Sequence, residues 1–214
     1  MIPAVVPVKA LAASKSRMRP RLGDATALRL TLAMLGDVLE ALLGVRALGP
    51  VAVVTPDAEV ERTARAAGAE ARVRPDPGLN AAVDGAAASL APAGPLLVVL
   101  GDVVGVRSAE IEILLGALDD AGGRGVALAP ASDGGTSALL RVPSDCIAAS
   151  FGPGSAKAHR DLAVRAGLPF REIALPSLAL DIDEPDDLDT FVRSGTGGDR
   201  TRALLCELGW KPRS

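Results

Sequence analysis

Leu96-Leu97-Val98-Val99-Leu100-Gly101-Asp102 is the stretch that decides the predicted fold of this 214-residue chain. Its first five residues are apolar without polar alternation, which is typical of a parallel strand covered on both faces. Gly101 permits a turn, or a close approach by a ligand, where the strand ends. Asp102 would then lie at the carboxyl end of a central strand, where open α/β sheets bind ligands. We expect this carboxylate to hold a divalent cation that carries a phosphate.

Strands and helices are predicted to alternate on either side of this stretch. Apolar runs predict further strands at 2–8, 51–54, 71–73 and 125–130. Leucines at helical spacing predict a helix over 24–43, and Pro75-Asp76-Pro77-Gly78 predicts a turn. A turn at 132–136 followed by a strand at 137–142 interrupts the alternation. The predicted fold is therefore α/β, a three-layer structure whose mixed, mostly parallel sheet has helices on both faces.

Composition argues against several classes of function. The formal net charge is −3, which disfavours broad binding to nucleic acid or an anionic membrane. Aromatic residues make up only 2%, so stacking platforms for single strands are not expected. No apolar run reaches membrane-spanning length. Cys146 and Cys206 lie far apart and are expected to be reduced thiols of a cytoplasmic protein.

The most basic segment of the chain follows the first predicted strand. Its cations are Lys9, Lys15, Arg17, Arg19 and Arg21. In a fold that begins with a strand, this loop lies at the carboxyl edge of the sheet, on the same side as Asp102. Cations spaced along a loop can neutralise a triphosphate. Nucleotide binding is therefore favoured over the alternative, a solvated basic loop.

A second set of acids begins at Asp181, directly after the apolar residues 178–180. We predict a strand here, in which Asp181 and Asp183 point to one side because they are two residues apart. One of them could join Asp102 on a hard cation, and carboxylates with phosphates are the usual ligands of magnesium. The alternative is helix capping, since Pro185 begins a predicted helix and acids often precede helices.

Two further polar residues have both a structural and a functional interpretation. Asn80 begins a predicted helix, which it either caps or leaves free in order to contact a base or ribose. Phe151-Gly152-Pro153-Gly154-Ser155 is a flexible loop before the predicted helix 156–166. With Ser155 as its cap, the free amides of that helix would bind an anion, whereas an ordinary serine cap is the alternative.

Motifs of several common enzyme classes are missing from the chain. The dinucleotide fingerprint Gly-x-Gly-x-x-Gly does not follow the first strand, and neither a P-loop nor a Gly-x-Ser-x-Gly elbow occurs. His159 is the only histidine, so a zinc site or a classical triad has little to build on. We interpret His159 as a structural residue or a substrate contact rather than a general base. The remaining features suit transfer of a nucleotidyl group.

Short motifs occur in order across residues 5–190. They are Pro7-Val8-Lys9, Lys15-Ser16-Arg17, Leu32-x-Met34-Leu35-x-Asp37, Thr55-Pro56, Leu79-Asn80-x-Ala82, Gly101-Asp102, Gly135-Thr136, Phe151-Gly152-x-x-Ser155 with His159, and Asp181-x-Asp183-x-Pro185-x-Asp187-Leu188. Each is weak alone. Together they resemble the CofC/FbiD guanylyltransferases of deazaflavin coenzyme F-420 biosynthesis.

This resemblance implies a GT-A-like, MobA-related nucleotidyltransferase fold. One such domain would span residues 1–214, with 196–214 as a C-terminal appendage. The implied reaction transfers GMP from GTP to a small phosphorylated three-carbon acid and releases pyrophosphate. The acceptor is phosphoenolpyruvate in the bacterial branch, 2-phospho-L-lactate in the archaeal branch and 3-phosphoglycerate in some members, and the sequence leaves this choice open. A homodimer is compatible with the resemblance.

Site residues also follow from the resemblance. It implies acceptor contacts by Thr136, Gly152 and Ser155. It implies Mg²⁺ ligation by Asp102 and Asp183. We expect Lys9, Lys15 and Arg17 to neutralise the leaving pyrophosphate, and Asn80 is a candidate nucleotide contact.

The chain departs from the family pattern after Asp102. The family usually continues with Leu-Pro, whereas Val103-Val104-Gly105 follows here and lacks the rigidity of proline. Two alternative functions stay open at this point. One is a different nucleotidyltransferase on the same fold, with a molybdopterin or sugar-phosphate acceptor. The other is a catalytically silent nucleotide-binding domain.

Overall fold

The computed structural model describes residues 1–73 and 78–213. Its strands are β1 (Ile2–Pro7), β2 (Leu48–Thr55), β3 (Glu70–Val73), β4 (Leu96–Val99), β5 (Gly125–Pro130), β6 (Thr136–Val142) and β7 (Phe170–Glu172). Its α-helices are α1 (Arg19–Leu22), α2 (Asp24–Leu43), α3 (Ala58–Ala66), α4 (Leu79–Leu90), α5 (Ser108–Gly116), α6 (Ser155–Arg165), α7 (Pro185–Ser194) and α8 (Asp199–Glu207). Short 3₁₀ turns occupy Leu11–Ala13, Asp119–Ala121 and Pro176–Leu178.

The strands form one sheet in the order β3-β2-β1-β4-β6-β5-β7. Every neighbouring pair is parallel except those of β6, which runs antiparallel to both β4 and β5. In that register Val99 of β4 is opposite Ala138 of β6. The first residue of β6, Thr136, is therefore at the sheet edge where β4 ends. The prediction of a mixed, mostly parallel sheet is confirmed.

Alternate residues of β4 pack into different apolar clusters on the two faces of the sheet. Leu97 and Val99 belong to the cluster that includes Leu39 of α2. Leu96 and Val98 belong to the cluster that includes α4. All four β4 residues have no exposed surface. The uninterrupted apolar run is thus explained by burial on both sides, and the three-layer prediction is confirmed.

A third cluster lies beyond the carboxyl end of β4. It joins Met18 of the basic segment, Val104 of the loop after Asp102, and Leu204 of α8. The buried carboxylate of Asp37 on α2 accepts hydrogen bonds from the N–H groups of Arg200 and Thr201, at 2.8 and 2.9 Å. Burial raises the pKa of Asp37. Residues after 195 therefore contribute to the support of this edge of the sheet.

The loop after Asp102 is held by packing in place of a proline. Val103 and Val104 are buried, and Gly198 has a left-handed φ of +68° beside them. A Cβ atom at Gly198 would lie 2.8 Å from Cγ2 of Val104 and 2.5 Å from the ring of Phe191. A side chain at position 198 is therefore excluded, and this glycine lets the C-terminal segment press against the loop.

Two local predictions have other outcomes. The strand predicted to begin at Leu178 and run into the acids is wrong, because a 3₁₀ turn ends at Leu178 and the following residues pair with no strand of the described chain. Strand β7 was not predicted. The predicted turn at 75–78 lies outside the described residues except for Gly78. None of the described helices combines the length and apolar character needed to cross a membrane.

Candidate active site

A cavity of about 480 Å³ opens at the edge where β1 and β4 end and β6 begins. Most of the predicted site residues line it, namely Lys9, Lys15, Arg17, Asp102, Thr136, Gly152, Ser155 and Asp183. The basic segment, the β4 end, the β6 start and the loop before α6 are thus brought to one place. Asn80 is the predicted site residue that is not part of the lining.

Lys15 joins the two predicted metal ligands. Its Nζ donates to Oδ2 of Asp102 at 3.0 Å and to Oδ1 of Asp183 at 2.8 Å. The Lys15 side chain is only 5% exposed. Its burial disfavours the ammonium, but the two carboxylates outweigh burial and raise the pKa of Lys15. Burial likewise opposes ionisation of Asp183, but Lys15 more than offsets it and the pKa of Asp183 is lowered. The site is therefore a compact charged cluster.

Asp102 retains an oxygen that nothing in the described chain satisfies. Its Oδ1 is buried and has no hydrogen-bond partner among the described residues, while its Oδ2 receives Lys15. The N–H of Ile182 donates to the main-chain oxygen of Asp102 at 3.2 Å, which ties the two acidic segments together. An unpaired buried carboxylate oxygen is costly, and it is the donor type that magnesium prefers. The donor set at Asp102 and Asp183 therefore fits this ion.

No group of three or more potential ligating side chains gathers within the described part of the chain. Magnesium commonly takes one or two carboxylates and completes its shell with water and substrate phosphates. Two carboxylates beside a cavity are therefore sufficient protein ligands for it.

Asp181 also faces the cavity, although its segment is not a strand. Asp181 and Asp183 both line the cavity, while Ile182 between them is fully buried in the third cluster. The predicted alternation is therefore confirmed at these three positions. Burial, followed by repulsion from Asp102 and Asp133, raises the pKa of Asp181 to about 6.

The remaining cations of the basic segment have different partners. Arg17 pairs with Glu184 at 2.9 Å on the surface, and Lys9 is exposed without an ion-pair partner in the described chain. Arg19 donates to the main-chain oxygens of Leu11 and Ala12 at 2.7 and 2.9 Å, so it organises the loop itself.

Arg21 has a structural contact as well. Its guanidinium stacks 4.1 Å from the ring centre of Trp210. Arg19 and Arg21 therefore support the loop, and Lys9 and Arg17 are the cations whose charge is more available to a ligand.

A neutral hydrogen-bonded chain reaches the same cavity through Thr136 and Ser155. Oγ of Ser155 lies 3.0 Å from Oγ1 of Thr136, and that oxygen lies 3.1 Å from Nδ1 of His159. The N–H of Ser150 donates to Nε2 of His159 at 3.0 Å. Thr136, Ser155 and His159 are each no more than 2% exposed. We call Thr136 and Ser155 the hydroxyl pair.

The helix α6 does not begin as predicted. Gly154, in a left-handed conformation, is its N-cap, and Ser155 is the first helical residue with its hydroxyl on Thr136. The N–H groups of Ser155 and Ala156 donate to the oxygens of Gly152 and Gly134, at 3.1 and 3.2 Å. The predicted anion site of free helix amides capped by Ser155 is therefore wrong at these two amides. The hydroxyl groups of Thr136 and Ser155 line the cavity instead.

Asn80 holds the neighbouring loop. Gly78 is the N-cap residue of α4, so the predicted capping role of Asn80 is wrong. The side-chain oxygen of Asn80 accepts from the N–H of Phe151 at 2.7 Å, and its amide donates to the oxygen of Phe151 at 3.2 Å. Asn80 thus fixes the entrance to Gly152, and its contact with a nucleotide stays a prediction.

An ion pair between a buried arginine and a partly exposed aspartate, behind the loop, was not predicted. Arg141 on β6 is fully buried and donates to Oδ1 of Asp84 on α4 at 2.7 Å and to the oxygen of Ile147 at 2.8 Å. Asp84 also accepts from the N–H of Ala149. These bonds anchor the segment that carries Ser150 and Phe151. A lone arginine inside an apolar strand is the sequence signal that could have indicated this network.

Similarity to known proteins agrees with this geometry. The family model described as guanylyl transferase CofC like matches residues 2–212. A Sphaerobacter thermophilus protein named phosphoenolpyruvate guanylyltransferase is 41% identical, over 87% of this chain and 90% of its own length. A Phenylobacterium zucineum protein named 3-phospho-D-glycerate guanylyltransferase is 37% identical, over 97% of each chain. A nucleotidyl transferase structure from Methanothermobacter thermautotroptrophicus superposes with a TM-score of 0.64 at 19% identity, covering 91% of this chain and 99% of its own.

Proposed function

Because the chain belongs to the CofC-like guanylyltransferase family, we propose that it transfers GMP from GTP to the phosphate of phosphoenolpyruvate in deazaflavin coenzyme F-420 biosynthesis. The reaction releases pyrophosphate. The chain carries two free cysteines, Cys146 and Cys206, which supports a reducing, cytoplasmic setting for this activity. 3-Phosphoglycerate is the second candidate acceptor, because a relative of similar identity is named for it.

One observation carries this proposal. The acids Asp102 and Asp183 meet on one side of a single cavity, and the hydroxyl pair lines the same cavity. A nucleotidyl transfer between two anions needs both groups at once: charge compensation for the triphosphate and a separate site for the acceptor.

Asp102 and Asp183 are the residues that would hold magnesium. The unpaired Oδ1 of Asp102 is the strongest support for a ligand there. Such an ion, when bound, supplies neutralisation of the negative charge on phosphate oxygens. The ammonium of Lys15 forms ion pairs with both carboxylates, and phosphate oxygens of the nucleotide could replace them as its partners. We expect it to leave at least one carboxylate when that carboxylate receives a metal, and then to act on the leaving pyrophosphate.

The other residues bind and orient the two substrates. Lys9 and Arg17 supply positive charge beside the triphosphate. The hydroxyl pair and Gly152 would hold the acceptor, with its phosphate directed toward the α-phosphorus of GTP. The new bond joins an acceptor phosphate oxygen to that phosphorus, while the bond between the α-phosphorus and the β-bridging oxygen breaks. The electron pair of that bond leaves with pyrophosphate.

This reaction needs no strong general base, because the attacking phosphate oxygen is already ionised near neutral pH. The properties of His159, the only histidine of the chain, are consistent with a reaction that uses no general base. Burial, together with the nearby charge of Arg141, lowers the pKa of His159 to about 4. Its Nε2 is already occupied by the N–H of Ser150. His159 is therefore not assigned a proton-transfer role.

An acceptor panel tests the proposal. The protein is incubated with GTP, MgCl₂ and one acid at a time: phosphoenolpyruvate, 2-phospho-L-lactate or 3-phosphoglycerate. The released pyrophosphate is quantified, and the mass of the product is determined by mass spectrometry. We expect the mass of a guanosine diphosphate ester of phosphoenolpyruvate. Binding of GTP with no pyrophosphate from any acceptor would instead indicate a silent nucleotide-binding domain.

A further inference from the structure

We propose that His159 is a positioning residue, which sets the direction of hydrogen bonding in the hydroxyl pair so that a hydroxyl proton faces an anionic oxygen in the cavity. This inference rests on the proposed function, because the anionic oxygen would belong to the phosphorylated acid. His159 itself does not line the cavity and acts through Thr136.

The first step fixes the tautomer of the imidazole. The main-chain N–H of Ser150 can only donate, and it lies 3.0 Å from Nε2 of His159. Nε2 must therefore offer its lone pair. A neutral imidazole has one N–H and one lone pair, so the proton resides on Nδ1.

The second step concerns the hydrogen bond between His159 and Thr136. The protonated Nδ1 lies 3.1 Å from Oγ1 of Thr136, and the main-chain oxygen of Ser155 also faces the imidazole as an acceptor, so Oγ1 can accept from Nδ1 but cannot donate to it. The two hydroxyl groups of the pair carry one proton each, and one of these protons lies in the 3.0 Å hydrogen bond between Ser155 and Thr136. The other proton has no acceptor within the described chain, and both residues line the cavity. Whichever hydroxyl carries it, the pair presents one O–H donor to a ligand.

The surroundings keep the imidazole in this state. His159 has no exposed surface, and the ring of Phe151 contacts it edge-on with centres 5.1 Å apart. Burial and Arg141 of β6 disfavour the imidazolium, while Asp84 of α4 favours it less strongly, so the pKa falls to about 4. A proton on Nε2 would also face the N–H of Ser150. The donor on the hydroxyl pair is therefore preset before a ligand arrives.

The tautomer can be measured directly, because the chain has a single histidine. In protein labelled with ¹⁵N-histidine, a protonated ring nitrogen and an unprotonated one have well-separated ¹⁵N chemical shifts. We expect a protonated Nδ1 and an unprotonated Nε2 at neutral pH. A spectrum with the proton on Nε2, or an even mixture of tautomers, would overturn the proposal. This measurement uses the unmodified protein and does not depend on turnover.

Two variants test the consequence for the acceptor. His159→Phe keeps a ring but removes both nitrogens, so we expect the KM for the acceptor to rise about tenfold while the KM for GTP changes less than about twofold. His159→Asn places an amide donor near the position of Nδ1, and we expect it to restore most of the acceptor KM. A purely structural role would move both KM values together, and that result would refute a positioning role.

Failure of the two proposals can be told apart. If the wild-type protein transfers GMP to none of the acids, the proposed function fails, and the NMR spectrum still decides the tautomer. If the wild type is active but His159→Phe has an unchanged KM for the acceptor, only the inference about His159 fails. Should the Phe variant not fold, as judged by circular dichroism, the tautomer and the Asn variant carry the decision.

Discussion

Two groups of residues that line the cavity differ in charge, and we call them its charged side and its hydroxyl side. The charged side consists of Lys15, Asp102 and Asp183, which hold one another through ion pairs. The hydroxyl side is uncharged and preset, with Thr136 and Ser155 fixed by the buried His159. Ion pairs can exchange partners when a metal or phosphate arrives, whereas a buried neutral chain cannot without leaving polar groups unpaired. We therefore expect the charged side to rearrange when a ligand binds and the hydroxyl side to keep its hydrogen bonds.

The largest effect is expected on the charged side, from Asp102→Asn. The substitution keeps the shape of the side chain and removes its charge, so turnover should fall by at least about a hundredfold, since metal binding contributes several kcal/mol of charge stabilisation. Turnover with saturating GTP, acceptor and MgCl₂ is the measurement. Asp161→Asn is the matched control, because Asp161 is partly exposed on α6, lies outside the cavity lining and has Lys157 as its one ion-pair partner among the described residues. Full activity of Asp102→Asn would remove the metal assignment.

The next effect concerns the hydroxyl side and its response to acid. The pKa of His159 is about 4 in the folded protein, compared with an ordinary 6.5. Well above pH 6.5 the imidazole is neutral in both states, so it makes no pH-dependent contribution there. As the pH falls from 6.5 to about 4, only the unfolded chain takes up the proton. The free energy of unfolding should therefore fall, by up to about 3 kcal/mol.

Urea unfolding of the wild type and of His159→Asn between pH 4 and 7.5 measures this contribution. Other carboxyl groups titrate in the same range, so the difference between the two proteins is the relevant quantity. Arg141 and Asp84, which face the imidazole from β6 and α4, are present in both proteins. If the free energies of unfolding of the two proteins change in parallel with pH, folding does not keep the imidazole neutral.

A smaller effect is expected from Lys15→Met. Removing the ammonium leaves two facing carboxylates, so the free energy of unfolding should fall by about 2 kcal/mol, less than for a fully buried pair because Asp183 is 55% exposed. Added MgCl₂ should then raise the melting temperature of this variant more than that of the wild type. Lys157→Met removes an exposed lysine of a helical pair and should cost less than about 0.5 kcal/mol. Equal magnesium responses in wild type and Lys15→Met would argue that Lys15 and the ion do not share a site.

The smallest effect is expected from Ser155→Ala. Loss of one hydroxyl from the hydroxyl pair should raise the acceptor KM several-fold, corresponding to about 1 kcal/mol, and leave the KM for GTP unchanged. Ser144→Ala is a control, because Ser144 is equally buried but bonds to the oxygen of Ala91 away from the cavity. An unchanged acceptor KM in the Ser155 variant would place the acceptor elsewhere.

Features with a local physical cause could be predicted from the sequence. The run 96–100 followed by Asp102 predicted a buried central strand with an acid at its end, because burial on both faces leaves a direct mark on the sequence. The hairpin pattern of 132–142 likewise predicted the antiparallel strand. The strand predicted to begin at Leu178 was wrong for a physical reason. Packing of Ile182 and exposure of its two acidic neighbours to the cavity create the same alternation as a strand, without a partner strand.

Features that depend on distant contacts could not be predicted. The partners of Lys15 are separated from it by 87 and 168 residues, so no spacing indicated that this cation would join both acids. Ser155 follows a glycine at a helix start, which is typical of a cap, but the nearby hydroxyl of Thr136 competes for its side chain. The contacts that Asn80 makes in the structure could not be predicted, because its partner, the main chain of Phe151, belongs to another loop.

The stacking of Arg21 on Trp210 gives this chain an optical probe of its own. Trp210 is the only tryptophan, and the protein has no tyrosine, so its emission comes from one indole. That indole also donates to Asp189 at 2.9 Å, which fixes it to α7 while Arg21 belongs to the basic segment. A shift of the basic segment as a nucleotide enters would change the environment of this single fluorophore. Substrate entry should therefore be visible as a change in intrinsic fluorescence, without any attached dye.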